Sequence, residues 1–144
     1  MRIVALFLAL LALPALAQVN LAITPDRIES AKDISRDEWY AMVKGRTVTY
    51  RIGDLVWAHE TYDPRTNKVY IAMADGKCME GVWTHLDNEF CFAWDDNDFV
   101  CFRHARSEGE ILIIPMENGQ PDGDTQVVKS ITDTGLPCGP ELLG

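Results

Sequence analysis

The stretch Asp75–His104, DGKCMEGVWTHLDNEFCFAWDDNDFVCFRH, decides the fold of this chain. It holds three of the four cysteines and two of the four tryptophans. Apolar and polar side chains alternate along three segments, and short turns rich in Asp, Asn and Gly separate these segments. The pattern predicts three consecutive antiparallel strands.

The turns determine which residues of neighbouring strands lie opposite each other. A two-residue turn at Asp75–Gly76 would place Cys78 and Val82 beside Ile71 of the preceding strand. We expect instead a three-residue loop with Gly76 in the left-handed bulge position. A slip of one residue inverts every side chain of the strand, so this choice fixes its faces. The side chains that align with Ile71 are then Met79, Gly81 and Trp83.

Cys91 and Cys101 are predicted to form a cross-strand disulfide. A two-residue turn at Asp87–Asn88 and a three-residue loop over 95–97 place these cysteines directly opposite each other on the outer face. Cys78 is then left to pair with Cys138, which would pin the C-terminal tail across the sheet. The same turns pair Trp83 with Phe92, His85 with Phe90, Phe92 with Val100 and Phe90 with Phe102. No C-x-x-C pair is present, so we expect neither zinc nor another metal.

The remaining chain extends this meander in both directions. Ser35 and Glu38 form a capping box that starts a helix over 36–44, and Gly45 ends it. Five further strands are predicted at 47–52, 55–61, 69–73, 110–115 and 125–132. Eight strands joined mostly by short turns most economically close into an antiparallel barrel, because closure removes the sheet edges. We therefore expect a mainly β protein in which one N-terminal helix precedes an antiparallel barrel of about eight strands. A β-sandwich is the alternative.

The first hairpin predicts which side chains enter the barrel. A tight turn at Gly53–Asp54 places Tyr50 opposite Trp57 and Val48 opposite His59. In that register the side chains of Trp57 and His59 face the interior. Glu60 and Glu80 then fall on the face assigned to solvent.

The N-terminus has the pattern of a signal peptide. Arg2 is followed by an apolar run, and Ala15-Leu16-Ala17 is a small-x-small cleavage site. We predict a signal peptide over 1–17, an N-terminal arm over 18–34 and a single barrel domain over 35–144. The mature protein is expected in the periplasm or secreted, without a membrane anchor after cleavage.

The composition and motifs of the chain limit the classes of partner and cofactor that it is expected to bind. The net charge of −9 gives no electrostatic footprint for nucleic acid, and it predicts repulsion from anionic membrane surfaces. The chain has no nucleophile elbow, phosphate loop or metal-ligand spacing, so we assign no catalytic residue and no cofactor.

Several motifs carry a resemblance to a known group. They are GRTVTY at 45–50, ETYDP at 60–64, DGKCMEGVW at 75–83 and the paired CF motifs at Cys91 and Cys101. In these motifs the chain resembles small exported proteins of unknown function found largely in alphaproteobacteria. The helix-then-meander plan is similar to that of lipocalins and other calycins. The lipocalin G-x-W motif belongs on the first strand, whereas Gly81-Val82-Trp83 lies on the fourth, so no lipocalin ligand is carried over.

Five aromatic and histidine side chains are the candidate ligand-binding residues. The predicted registers place three histidines on the interior face toward strand ends, where two tryptophans accompany them at one barrel mouth. The alternative is that each histidine is half-buried and bonded to backbone, and that the aromatic stripe is ordinary core. Asp95–Asp98 is predicted to be a solvated hairpin tip rather than a calcium site. The candidate residues are Trp57, His59, Trp83, His85 and His104.

Two classes of function fit the sequence. The first is a non-catalytic module that binds a small apolar or aromatic ligand in the barrel mouth. The second is a protein-interaction module, such as an enzyme inhibitor or envelope accessory factor, that presents the loops 62–68 and 116–124. The packing of the interior separates the two classes, because a small-molecule site needs a cavity of a few hundred cubic ångströms.

Overall fold

A computed structural model describes residues 21–135 of the chain. The predicted signal peptide and Cys138 lie outside the described residues, so the signal peptide, its cleavage site and the Cys78–Cys138 disulfide stay predictions. Neither helix between residues 21 and 135 has the length and apolar character needed to cross a membrane. The elements in chain order are α1 (Pro25–Ser30), β1 (Lys32–Asp33), α2 (Arg36–Val43), β2 (Thr47–Ile52), β3 (Leu55–Tyr62), β4 (Lys68–Met73), β5 (Cys78–Leu86), β6 (Glu89–Trp94), β7 (Phe99–Ser107), β8 (Glu110–Glu117), β9 (Gln120–Pro121) and β10 (Gln126–Thr132).

The eight long strands form a closed antiparallel barrel. Strands β2 to β8 follow one another as a meander, and β10 pairs with both β8 and β2 to close the circle. The two-residue strands β1 and β9 lie outside this circle and extend β7 and β8. The predicted eight-stranded, calycin-like barrel is therefore confirmed.

The registers predicted from the turns of β4 to β7 are confirmed. Ile71 pairs with Met79, and Gly76 has a φ of 89°, as the three-residue loop requires. Asp87 and Asn88 both have positive φ, in keeping with the tight primed turn between β5 and β6. The Cys91–Cys101 disulfide joins β6 to β7, with the two Cα atoms 4.0 Å apart.

The register of β2 and β3 is predicted correctly at the turn and wrongly beyond it. Ile52 pairs with Leu55 across Gly53–Asp54, but Tyr50 pairs with Ala58 instead of Trp57. Arg51 pairs with Val56, so Trp57 has no partner and forms a β-bulge. The extra residue inverts the faces of the rest of β3.

This bulge corrects two predicted orientations. Glu60, which was expected to face solvent, is only 3% exposed and faces the barrel interior. His59, which was expected to face the interior, is exposed on the outer surface, where its Nδ1 lies 2.9 Å from the Thr49 hydroxyl. Glu80 is exposed, as predicted, and pairs with Lys68.

Helix α2 packs against interior side chains and covers one end of the barrel. Its N-cap is Ser35, whose Oγ accepts a hydrogen bond from the Glu38 amide at 3.2 Å. Trp39 is fully buried, and its ring meets the rings of Tyr62 and Phe90 edge-on. The opposite end of the barrel carries the β2–β3, β4–β5 and β6–β7 hairpin turns.

The segment before α2, predicted as an N-terminal arm, contains a second helix that packs on the barrel. Helix α1 begins after the Thr24 cap and covers an outer apolar cluster that includes Leu112 and Ile114. The guanidinium of Arg27, a residue only 7% exposed, donates to Glu110 Oε2 at 2.7 Å and to the Ser107 carbonyl at 3.2 Å. This cluster also explains the continuous apolar run of β8, because the strand is covered on both faces.

Candidate functional site

The barrel encloses a cavity of about 280 Å³ between the level of His104 and the hairpin end opposite α2. Most of its wall is apolar, which is typical of small-molecule sites. Because side chains alternate along a strand, β4, β6 and β7 each contribute every second side chain to this wall. The apolar and aromatic lining residues are Trp57, Ile71, Met73, Met79, Phe92, Trp94, Val100, Phe102 and Ile113.

A buried carboxyl group faces the cavity from β3. The hydroxyl of Tyr50 donates a hydrogen bond of 2.5 Å to Glu60 Oε2. Burial raises the pKa of Glu60 to about 7, although the hydrogen bond from Tyr50 acts to lower it. Burial, together with the nearby charge of Glu60, raises the pKa of Tyr50 well above its usual value. The site therefore holds a carboxyl group that exchanges its proton near neutral pH beside a phenol that stays protonated.

His104 is the second polar group of the cavity. It is 1% exposed, and its ring stacks on Phe90 with centroids 4.1 Å apart. Burial lowers its pKa to about 3, and the nearby His85 contributes to the same shift. Within the described residues neither ring nitrogen has a hydrogen-bond partner. His104 is therefore a neutral imidazole whose two nitrogens are buried and unpaired within the described residues.

The mouth of the cavity is formed by two tryptophans and an acidic residue. The bulge at Trp57 directs this side chain into the cavity wall, out of the regular alternation of β3. Trp94 lies over Gly81, its cross-strand neighbour, where an added Cβ would come within 2.6 Å of the indole ring. Glycine at position 81 therefore makes room for this indole. Asp98, which is exposed, completes the rim.

The structure brings only two of the five candidate residues into the cavity wall. Trp57 and His104 line it, whereas His59 lies on the outer surface. Trp83 and His85 pair with Phe92 and Phe90, as predicted, but they lie at the end that α2 covers. The prediction that all three histidines surround one open mouth is wrong, because the Trp57 bulge turns His59 outward and α2 covers the row of His85.

Four polar lining residues were not among the sequence candidates. Tyr50, Glu60 and Gln126 come from β2, β3 and β10, and Asp98 comes from the loop between β6 and β7. Tyr50 was predicted to face inward and could have been included. Glu60 could have been found only by placing a bulge in β3, and no glycine or proline marks that position.

One cluster of potential metal ligands lies outside the cavity, but its cysteines are already bonded to each other. Glu89, Cys91 and Cys101 lie close together on the outer side of β6 and β7. Both cysteines belong to the disulfide, so they offer no thiolate to a metal ion. The loop Asp95–Asp98 is a hairpin tip, as predicted, and Asp96 pairs there with Lys77.

Comparison with known proteins returns no match to this chain among protein families, curated proteins or solved structures. The assignment of function therefore depends on the cavity and its lining residues.

Proposed function

We propose that this protein is a non-catalytic binding protein that takes a small apolar or aromatic molecule into its barrel. One observation carries the proposal: the barrel interior is not filled, and a cavity of about 280 Å³ opens toward the hairpin end. This volume is close to the lower end of the range of small-molecule sites. A ligand of modest size is therefore expected.

The lining residues favour a ligand that has an aromatic or aliphatic framework and one polar group. Trp57, Phe92 and Trp94 offer large flat surfaces, and such rings prefer stacked or edge-on partners. Tyr50, Glu60 and Gln126 supply polar side chains within this apolar wall. A few polar groups in an apolar pocket orient a ligand and give specificity.

We also propose that the protein acts outside the cytoplasm, as the N-terminal pattern and the resemblance to small exported proteins suggest. The Cys91–Cys101 disulfide is compatible with an oxidising compartment. Expression of the full chain in a bacterial host, followed by fractionation and intact-mass measurement, tests this proposal. We expect periplasmic protein that begins at Gln18, and uncleaved protein in the cytoplasm would contradict it.

Native mass spectrometry of the protein purified from its own source tests the binding function. We expect a mass above that of the polypeptide, which falls to the polypeptide mass on denaturation and releases a small molecule. A retained polypeptide would instead support the protein-interaction function. Protein at its bare mass calls for titration with small aromatic compounds, followed by tryptophan fluorescence.

A pair of matched variants decides whether the cavity is the binding site. Val100→Trp fills the cavity wall, whereas Val82→Trp makes the same change on the outer face of β5. We expect Val100→Trp to abolish binding and Val82→Trp to leave the dissociation constant unchanged. Equal binding by both variants would place the ligand elsewhere.

A further inference from the structure

The residues of the cavity wall that can carry a charge near pH 7 are all acidic. Glu60 lies deep in the wall and Asp98 lies at the rim, while no lysine or arginine lines the cavity in the described part of the chain. The one histidine of the wall, His104, is uncharged at neutral pH because burial lowers its pKa to about 3. Ionised Glu60 therefore has no cationic side chain of the cavity wall to balance it.

An unbalanced carboxylate in an apolar cavity determines which ligands fit. A negatively charged ligand, such as a fatty acid or an aryl carboxylate, would bring a second like charge into a poorly solvated site without a cation to receive it. A positively charged ligand would pair with Glu60 in the same surroundings, where a charge-assisted hydrogen bond is strong. Trp57, Phe92 and Trp94 add ring faces that attract cations.

We propose that the cavity selects small aromatic or aliphatic amines, that the carboxylate of Glu60 binds their ammonium group, and that carboxylate ligands are rejected. This inference rests on the proposed binding function and specifies its ligand class. Tyr50 holds the carboxyl group in place through its hydrogen bond to Oε2. Tyr50 is thus a positioning residue.

The proton on Glu60 gives the selection a pH dependence. Tyr50 on β2 and Tyr62 on β3 interact with this carboxyl group, and the other titratable groups of the same cavity wall are His104 on β7 and Asp98 at the rim. Burial raises the pKa of both tyrosines well above the usual value and lowers that of His104, so all three stay neutral near pH 7. Only ionised Glu60 pairs with an ammonium, so apparent affinity for an amine follows the ionised fraction. We expect this affinity to rise roughly tenfold between about pH 6 and about pH 8.

Three compounds with one carbon framework test the proposal: phenylbutylamine, phenylbutanol and phenylbutyrate. Titration of the wild-type protein, followed by tryptophan fluorescence and calorimetry, measures each dissociation constant. We expect the amine to bind at least about tenfold more tightly than the alcohol. This is the gain in affinity expected from one charge-assisted hydrogen bond between the ammonium group and the carboxylate. Phenylbutyrate should bind more weakly than the alcohol.

Two variants test whether the Glu60 carboxylate is the group that selects amines. Glu60→Gln keeps the shape of the side chain and removes its charge, so the amine should lose its advantage over the alcohol and its pH dependence. Tyr50→Phe keeps the carboxyl group but removes the hydrogen bond that holds it and lowers its pKa, so the rise of amine affinity should move to higher pH. Circular dichroism confirms that each variant is folded, and the wild-type comparison stands even if one variant is not.

The outcomes separate this inference from the function on which it rests. If the alcohol and the amine bind equally well to the wild-type protein, binding holds and selection by charge is overturned. If phenylbutyrate binds most tightly, the assigned charge preference is wrong. If none of the three compounds binds at any pH tested, these probes contradict the binding function itself.

Discussion

Glu60 and His104 face the same cavity, and burial shifts their protonation equilibria in opposite directions. The low-dielectric interior disfavours the charged form of each group. It therefore raises the pKa of Glu60 to about 7 and lowers that of His104 to about 3. Both groups are kept neutral over an overlapping pH range, which explains how the barrel tolerates them without a counter-charge. The two shifts have opposite effects on the pH dependence of folding stability.

The stability contributed by Glu60 decreases as pH rises. Between its unfolded value of about 4.5 and its folded value of about 7, the native state binds more protons at this site than the unfolded state. We expect the free energy of unfolding of the wild type, minus that of Glu60→Gln, to fall on the order of 3 kcal/mol across this range. Urea titrations at a series of pH values measure this difference. Glu80→Gln, the same change at an exposed site, is the matched control, and a constant difference for Glu60→Gln would contradict the assignment.

The stability contributed by His104 changes in the other direction. Between its folded value of about 3 and its unfolded value of about 6.5, the native state binds fewer protons than the unfolded state. We expect the free energy of unfolding, relative to that of His104→Phe, to decrease by several kcal/mol as pH falls through this window and to stay level above it. Phenylalanine suits this site because the imidazole already stacks on Phe90 and has unpaired nitrogens. His59→Phe on the outer surface is the control, and parallel pH curves for wild type and His104→Phe would show that His104 is not buried as a neutral group.

Among the elements, the hairpin of β6 and β7 shows what sequence can predict. The length and composition of its turn fix the cross-strand pairs, and alternation then fixes the faces, so the aromatic residues point inward and the cysteines outward. The hairpin of β2 and β3 shows where this reasoning ends. Its turn is as predicted, but a single bulge at Trp57 inverts the following residues. Either set of alternating side chains, Trp57 and His59 or Ala58 and Glu60, is an acceptable strand face by composition. Only the packing of the closed barrel separates them.

The disulfide of this hairpin is predicted to stabilise the fold without shaping the cavity. Cys91 and Cys101 lie on the outer face, while their neighbours Phe92 and Val100 line the cavity. We expect the double variant Cys91→Ala, Cys101→Ala to lose about 3 kcal/mol of unfolding free energy, since the unfolded chain loses the constraint of a short loop. Its ligand affinity should stay within about twofold of the wild type, because no lining side chain changes. Chemical denaturation and fluorescence titration measure the two quantities.

Peptide mapping under non-reducing conditions checks the pairing on which this prediction depends. A peptide that links Cys91 to Cys101 is expected, and a second that links Cys78 to Cys138. A peptide that links Cys78 to Cys91 would contradict both the pairing and the predicted stability change.

For the whole molecule, the sequence predicts a closed barrel but not the hollow at its centre. Strand number, turn length and alternation determine closure, and each can be recognised locally. Whether the interior is filled depends on the sum of side-chain volumes from eight strands and on what covers each end. Helix α2 fills one end with Trp39, so the cavity that remains lies toward the other end, between the level of His104 and the rim at Asp98. The sequence candidates Trp83 and His85 therefore have the predicted cross-strand partners, but the end at which they lie is closed by α2.

The four tryptophans test whether barrel and helix form one cooperative unit. Trp39 reports on α2, Trp83 on the covered end, and Trp57 and Trp94 on the mouth. Because Trp39 packs among barrel side chains, we expect α2 to unfold together with the strands in one transition. Denaturant curves followed by tryptophan fluorescence and by far-ultraviolet circular dichroism should then coincide. Trp39→Phe removes the reporter of α2 while keeping an aromatic ring in its place. If the fluorescence curve of the wild type precedes its dichroism curve, and that of Trp39→Phe does not, the helix leaves the barrel before the strands unfold, and the covered end is then the weaker part of the molecule.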